Sequence, residues 1–182
     1  MEITGNVLKA LSFAAKKHRD QRRKDREASP YVNHLIDVTY ILWHQGKVRD
    51  EQILVAAILH DTIEDTHTEA REIGGIFGKE VRQYVEEVTD DKSLSRKDRK
   101  RLQIITGPHK SAGAKQIKLA DKSANVFDIA HSPPHAWTLD RCKEYLDWAE
   151  EVIDGIRGIN PRLEEYFDKV LEEGRGKLSR LG

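Results

Sequence analysis

The sequence predicts an all-α fold, as a single helical bundle. Apolar residues return every three or four positions along most of the chain, and no stretch alternates convincingly with period two. Cap and breaker residues stand at the ends of several of the apolar runs.

Val7, Leu11 and Ala14 or Ala15 define a first helix. Polar residues from Arg19 to Tyr31, ending in Ser29-Pro30, predict a loop after it. Leu35, Val38, Ile41 and Leu42 space a second helix, which Gly46 stops. Asp50 is the N-cap expected for a third, carrying Ile53, Leu54, Ala57 and Ile58 toward His60. Val81, Tyr84 or Val85, and Val88 mark another, and Ile117, Ala120 and Ala124 one that also holds Asp121 and Asn125. After Pro133-Pro134, Thr138 caps a long helix with Cys142, Leu146, Ala149, Val152 and Ile156. Asn160-Pro161, then Leu163, Tyr166, Phe167 and Val170, predict a last helix ended by Gly174, with residues 174–182 frayed.

The 182 residues read as one domain spanning 1–182, long enough to bury roughly 70% of the unfolded surface without a structural metal. Lys+Arg number 31 and Asp+Glu 31, which excludes binding of nucleic acid or anionic membrane by bulk charge. Cys142 stands alone, so no intramolecular disulfide is possible. The longest apolar run, Ile53 to Leu59, falls far short of the roughly 20 residues of a membrane helix. Met1-Glu2-Ile3-Thr4-Gly5 lacks a signal peptide's features, so the expected location is the cytoplasm.

The sharpest motif is His60-Asp61-Thr62-Ile63-Glu64-Asp65. On a continuous helix, Glu64 would lie one turn beyond His60 and Asp65 one turn beyond Asp61, forming a polar patch after several apolar turns. A lone His-Asp pair is equally an exposed helix end, but His34 begins the second helix and Asp121 sits on an apolar-spaced one. A buried carboxylate is costly unless paired, so Asp121 calls for a cation, either Lys118 or Lys122 or a metal. Asn125, one turn later, is a satisfied core amide or a contact to the site.

Two imidazoles and two carboxylates suit Mn²⁺, Fe²⁺ or Zn²⁺ better than Ca²⁺. Such a metal lowers the pKa of a coordinated water and neutralises charge on phosphoryl oxygens. Glu64 and Asp65 would then serve as general acid/base groups or water orienters.

With YVNH before it and KLADK-x-x-N after it, HDTIED makes the chain resemble the HD-domain metal-dependent phosphohydrolases, and within them the RelA/SpoT-type small alarmone hydrolases. The likeness runs from Ala10 to about Phe167. It implies one Mn²⁺ per chain on His34, His60, Asp61 and Asp121, and Glu64 and Asp65 as the acids that position or activate water. It also implies Arg23, Lys24 and Tyr31 around base and ribose and Asn125 on the substrate. The implied reaction is hydrolysis of guanosine 3′-diphosphate 5′-diphosphate, or its pentaphosphate relative, at the 3′ position, giving GDP or GTP and pyrophosphate. The resemblance leaves no length for a synthetase domain, so degradation of the alarmone is expected, not synthesis. Leu35, Ser123, Ala124 and Phe127 depart from common family residues and bear on the shape of the substrate pocket.

The alternatives are an HD-domain phosphatase acting on another nucleotide, such as the 2′-phosphate of NADPH, and a non-catalytic nucleotide sensor. Charge is unevenly spread. Lys16 to Arg26 holds seven Lys/Arg against two acids, whereas Leu139 to Glu173 holds eleven acids against five bases. The neutral total therefore conceals a basic mouth for a small polyanion. Arg23 is the side chain of that run best suited to stack on a purine or fork around phosphate. A second run, Arg96 to Arg101, is expected to face water for the most part, with Lys92 and Lys97 as contacts to the 5′-diphosphate.

Overall fold

A computed structural model describes residues 5–181. Met1 to Thr4, on which the signal-peptide reading rests, and Gly182 lie outside the described residues. The elements in chain order are α1 (Gly5–Lys17), α2 (Val32–His44), α3 (Glu51–Leu59), α4 (Thr62–Asp65), α5 (Ala70–Phe77), α6 (Lys79–Val88), α7 (Arg96–Thr106), a 3₁₀ turn (Gly107–His109), α8 (Ala112–His131), α9 (Leu139–Asp154) and α10 (Pro161–Ser179). The fold is all-α, and among the described residues the sole β-type pairing is an isolated bridge between Arg22 and Pro30. No described helix is long and apolar enough to cross a membrane.

The helices start where the chemistry of their caps dictates. Asp50 accepts from the backbone N–H groups of Gln52 and Ile53, Thr138 from that of Arg141, and Asn160 from that of Leu163, with Pro161 in the first turn. Ile53 through Leu59 are all buried, so α3 is apolar on every side and runs through the interior. The 20-residue α8 is buried along most of its length and packs against α2, α3, α6, α9 and α10. The buried apolar side chains form one connected cluster, with Phe167, Leu35, Leu42 and Leu59 among its largest fully buried members.

Three expectations need correction. The chain does not fray from Gly174: α10 runs on to Ser179, Gly174 and Leu178 are buried, and a Cβ on Gly174 would meet Leu146 Cδ2 at 3.2 Å. Gly174 permits close approach of α10 to its neighbours and does not end the helix. The motif at residues 60–65 is also not one continuous helix, because α3 ends at Leu59 and α4 begins at Thr62. Finally, α5 and α7 are helices beyond the expected set: α5 carries Ile73, Ile76 and Phe77 at helical spacing, whereas α7 buries none of its residues and begins at Ser95, whose hydroxyl accepts from the N–H of Asp98.

Gly46 follows α2, and Asn160 Nδ2 donates to its carbonyl at 3.0 Å. A Cβ there would fall 2.7 Å from Cγ of the fully buried Leu163, a branched carbon with no space to retreat. Gly46→Ala is expected to destabilise the fold by about 1–3 kcal/mol through overpacking. Gly75, inside α5 with nothing within 4 Å of its would-be Cβ, is expected to gain about 0.5–1 kcal/mol on changing to Ala. Urea denaturation of the two variants checks both signs.

Candidate metal centre and cleft

Three helices deliver the centre. His34 comes from the first turn of α2, His60 from the end of α3, and Asp121 from the middle of α8, and all three are buried. One ligand atom from each lies within 4.8 Å of the others. His34 Nε2 stands 3.3 Å from Asp121 Oδ1, and His60 Nε2 stands 3.8 Å from the same oxygen. The two imidazole centroids are 5.4 Å apart.

Asp61 joins this group through the break in the helix. Successive residues of a continuous helix diverge by roughly 100°. At the junction of α3 and α4 the two side chains nevertheless converge: Asp61 Oδ2 lies 3.0 Å from His60 Nε2 and 3.9 Å from His34 Nε2. Tyr31 Oη donates to Asp61 Oδ2 at 2.7 Å.

His60 Nδ1 lies 2.7 Å from the Ala57 carbonyl, to which it donates, so its Nε2 is the nitrogen turned into the cluster. That Nε2 is buried and makes no hydrogen bond, despite the nearness of Asp61. An imidazole whose outer nitrogen is tied to a carbonyl and whose inner nitrogen is unengaged has the arrangement of a metal ligand. With no thiolate in the set, the nitrogen and oxygen donors fit a divalent transition metal.

Electrostatics agree with a site built for positive charge. Burial opposes the charged form of His60, but Asp61 and Asp121 overcome it and raise its pKa to about 9. Burial likewise pushes Asp61 up, and His60 and His34 more than offset it, holding the carboxyl below its ordinary range. For Asp121 burial is overcome by Lys122, by the hydrogen bond from His34 and by Lys118, so its carboxyl is also held low. Lys122 Nζ donates to Asp121 Oδ2 at 3.0 Å, and Asn125 Nδ2 donates to Oδ1 at 2.6 Å. Both partners expected for Asp121, a lysine and a metal group, thus converge on it.

A cleft of about 540 Å³ opens beside the cluster, lined by His34, Asp65, Tyr31, Arg23, Lys24 and Asn125 together with Asp128, Trp137 and Tyr145. Arg23 Nη2 bonds Asp128 Oδ2 at 2.5 Å and Asn125 Oδ1 at 3.3 Å, and its guanidinium lies 5.7 Å from the Tyr31 ring centroid. Asp65 faces the cleft with both oxygens engaged, Oδ2 by Gln21 Nε2 at 2.8 Å and Oδ1 by Lys92. Glu64 does not line the cleft; its Oε2 accepts from the Asp90 N–H at 3.0 Å and its Oε1 lies 3.8 Å from Arg99. Burial raises the pKa of Glu64, the Asp90 N–H opposes that, and Asp61, Asp90 and Asp65 reinforce it.

The structure does not bring Lys97 to the cleft: it is exposed on α7. Its neighbours are the engaged members of that run. Arg96 lies over Trp137 at 5.7 Å, Lys100 Nζ lies 4.6 Å from the Trp148 ring centroid, and Trp148 Nε1 donates to the Lys100 carbonyl at 3.1 Å. Most of the run faces water, as expected, with Arg99 and Lys100 half-buried and Arg96 and Lys100 set over aromatic rings. Lys92 holds Asp65, a role different from a phosphate contact. Trp137, Tyr145 and Asp128 escaped notice in the sequence, although Tyr145 flanks the Cys142–Leu146 stripe and Asp128 lies one turn past Asn125. Leu35, Ser123 and Ala124 are buried in the core and Phe127 is 42% exposed, so none of these four departures lines the cleft.

The HD domain family model matches residues 10–141. This chain belongs to the HD domain family. The chain is 51% identical over 167 residues to the human guanosine-3′,5′-bis(diphosphate) 3′-pyrophosphohydrolase MESH1, covering 92% of this chain and 93% of the human protein. Identity to the Drosophila melanogaster protein of the same name is 46%, covering 96% and 97%. A solved structure described as a metazoan ortholog of SpoT that hydrolyzes ppGpp superposes on this chain with a TM-score of 0.93 at 44% identity, covering 97% of this chain and 99% of that one.

Because a ligand of the native state alone raises apparent stability, Mn²⁺ or Zn²⁺ added to the metal-stripped protein is expected to raise its melting temperature. His60→Ala is expected to remove that rise, as seen by differential scanning fluorimetry, while folding on its own.

Proposed function

We propose that this chain hydrolyses guanosine 3′-diphosphate 5′-diphosphate at the 3′ position, releasing pyrophosphate and leaving GDP, or GTP from the pentaphosphate. The observation that carries the reading is the junction of the cleft with the buried His34, His60 and Asp121 group, in a chain half identical to pyrophosphohydrolases of that name. His34, His60, Asp61 and Asp121 hold one Mn²⁺ per chain. When bound, the cation lowers the pKa of water and neutralises charge on phosphoryl oxygens.

The chain's own groups do the rest. Asp65, fixed at both oxygens, orients the attacking water at the cleft wall. Asp65, the acid that faces the cleft, takes the proton released as the water oxygen bonds to phosphorus, and Glu64, outside the cleft on the Asp90 N–H, supports it as a neighbouring carboxyl that binds a proton more readily than an ordinary one. The P–O bond to the ribose 3′ oxygen breaks, and that oxygen takes the proton back from the acid pair to become the 3′ hydroxyl of GDP. Arg23, Lys24 and Tyr31 receive the nucleoside along the cleft wall, and Asn125 links Arg23 to Asp121. Lys97 is withdrawn from the substrate contacts, since it stands outside the cleft.

Incubation of the Mn²⁺-loaded protein with a panel of phosphorylated nucleotides, with both products identified, tests the reading. Pyrophosphate and GDP from the alarmone are expected; orthophosphate from the 2′-phosphate of NADPH, without pyrophosphate from the alarmone, would replace it with a phosphomonoesterase. Asp61→Ala and Asp121→Ala are expected to abolish turnover with loss of metal, and Glu64→Gln to keep the metal and slow kcat by about 10²–10³-fold.

A further inference from the structure

His18 lies just past the end of α1, only 2% exposed, at the start of the polar segment that leads to the cleft. It lines neither the cleft nor the metal group, yet it touches one partner of Asp61 and one partner of Asp65. Its Nδ1 lies 2.5 Å from Gln21 Oε1, and Gln21 Nε2 in turn reaches Asp65 Oδ2. Its ring stacks on Tyr31, with centroids 5.2 Å apart and planes 20° from parallel, and Tyr31 Oη reaches Asp61 Oδ2.

The direction of this chain of bonds follows from chemistry. The Asp65 carboxylate only accepts, so Gln21 turns its NH₂ toward Asp65 and its carbonyl toward His18. A carbonyl only accepts as well, so His18 Nδ1 carries a hydrogen. The other ring nitrogen, Nε2, is buried with no hydrogen-bond partner among the described residues. A hydrogen there too would leave a buried imidazolium with an unpaired N–H, which is costly. The geometry therefore makes Nδ1 the donor of the His18 ring.

We propose that His18 is a positioning residue for the reaction: as the Nδ1–H tautomer it fixes Gln21, and through it the Asp65 carboxylate, while its ring face only packs against Tyr31. The proposal rests on the reading of Asp65 as the group that orients the attacking water. Lys92 grips the other Asp65 oxygen from the segment before α7, but it is a flexible point charge. The amide of Gln21 is the directional contact. Its backbone is also tied in, since Gln21 N–H donates to the His18 carbonyl at 3.0 Å and Tyr31 N–H to the Gln21 carbonyl at 3.1 Å.

Two substitutions separate the donor from the ring. His18→Phe keeps a ring to stack on Tyr31 and removes the donor, whereas His18→Asn places an amide N–H near the position of Nδ1. With Mn²⁺ and the alarmone, His18→Phe is expected to lower kcat about tenfold, with KM within roughly twofold and metal content unchanged. His18→Asn is expected to recover most of kcat. Gln21→Met is expected to lower kcat as far as His18→Phe, and the double variant no further, because both cut one chain of contacts.

Unchanged kcat in His18→Phe, no recovery in His18→Asn, or additive losses would overturn the proposal. If His18→Phe does not fold, Gln21→Met and His18→Asn still decide it. Long-range ¹H–¹⁵N NMR of the wild-type imidazoles supplies a readout independent of turnover: Nδ1 of His18 should bear the hydrogen, and Nε2–H would refute the proposal. Wild-type protein that releases no pyrophosphate defeats the hydrolase reading, with the NMR result still judging His18. An active wild type with an unimpaired Asp65→Asn variant defeats the assignment of Asp65, and with it the catalytic consequence drawn for His18.

Discussion

Ionisable groups crowded into the middle of a helical core govern how this protein is put together. Asp121 sits at the centre of α8, against buried imidazoles from α2 and α3 and beside the buried Lys122. Each of these groups, taken from water alone, would cost several kcal/mol, so they persist only as a mutually compensating set. The compensation is asymmetric: Lys122 takes one oxygen of Asp121 while His34 and Asn125 crowd the other. Lys122 also lies 4.8 Å over Trp148, a contact that helps a buried ammonium without using a second carboxylate. Packing of α2, α3 and α9 around α8 thus serves charge balance as well as burial of apolar surface.

The two acids that follow the centre are anchored from different parts of the chain. Asp65 is held by Gln21 and Lys92, Glu64 by the backbone of Asp90 and the neighbourhood of Arg99. Gln103 extends the second anchor, donating to Asp90 Oδ2 at 2.6 Å. The polar segment after α1 and the α6–α7 connection therefore approach the same four-residue helix from two sides. This explains why α7 can bury no side chain and still have a defined place: its polar groups and its backbone carbonyl at Lys100 are bound from α9 and from the acid side.

How much of this was legible in the sequence divides along physical lines. Helices with a buried stripe and a side-chain cap, such as α3, α9 and α10, announced themselves because periodicity and capping are local. The same held for His34, His60 and Asp121, whose residue types are conspicuous on apolar faces. What escaped was set by tertiary contact. A helix such as α7, pinned by cation–π and carbonyl contacts, shows no stripe, and so the engaged cations were misread, with Lys97 chosen where Arg96, Arg99 and Lys100 touch other groups. Gly174 has the composition of a terminator, but its role depends on how near Leu146 stands. His18, an unremarkable member of a basic run, gains its place only once Gln21 and Tyr31 fold over it.

The seven wholly buried residues of α3 act as a ruler. Because they are apolar on all sides, this stretch has no polar face to tell it how to rotate; its orientation is taken from its ends, Asp50 at one and His60 at the other. Adding or removing one residue between them would turn His60 by roughly 100° relative to the cap while leaving burial nearly unchanged. The core would tolerate the slip in hydrophobic terms, but the metal group would not survive it. Length in this segment is thus under stricter constraint than composition, and exchange among Ile, Leu and Val should be far easier to accommodate than any change in residue number.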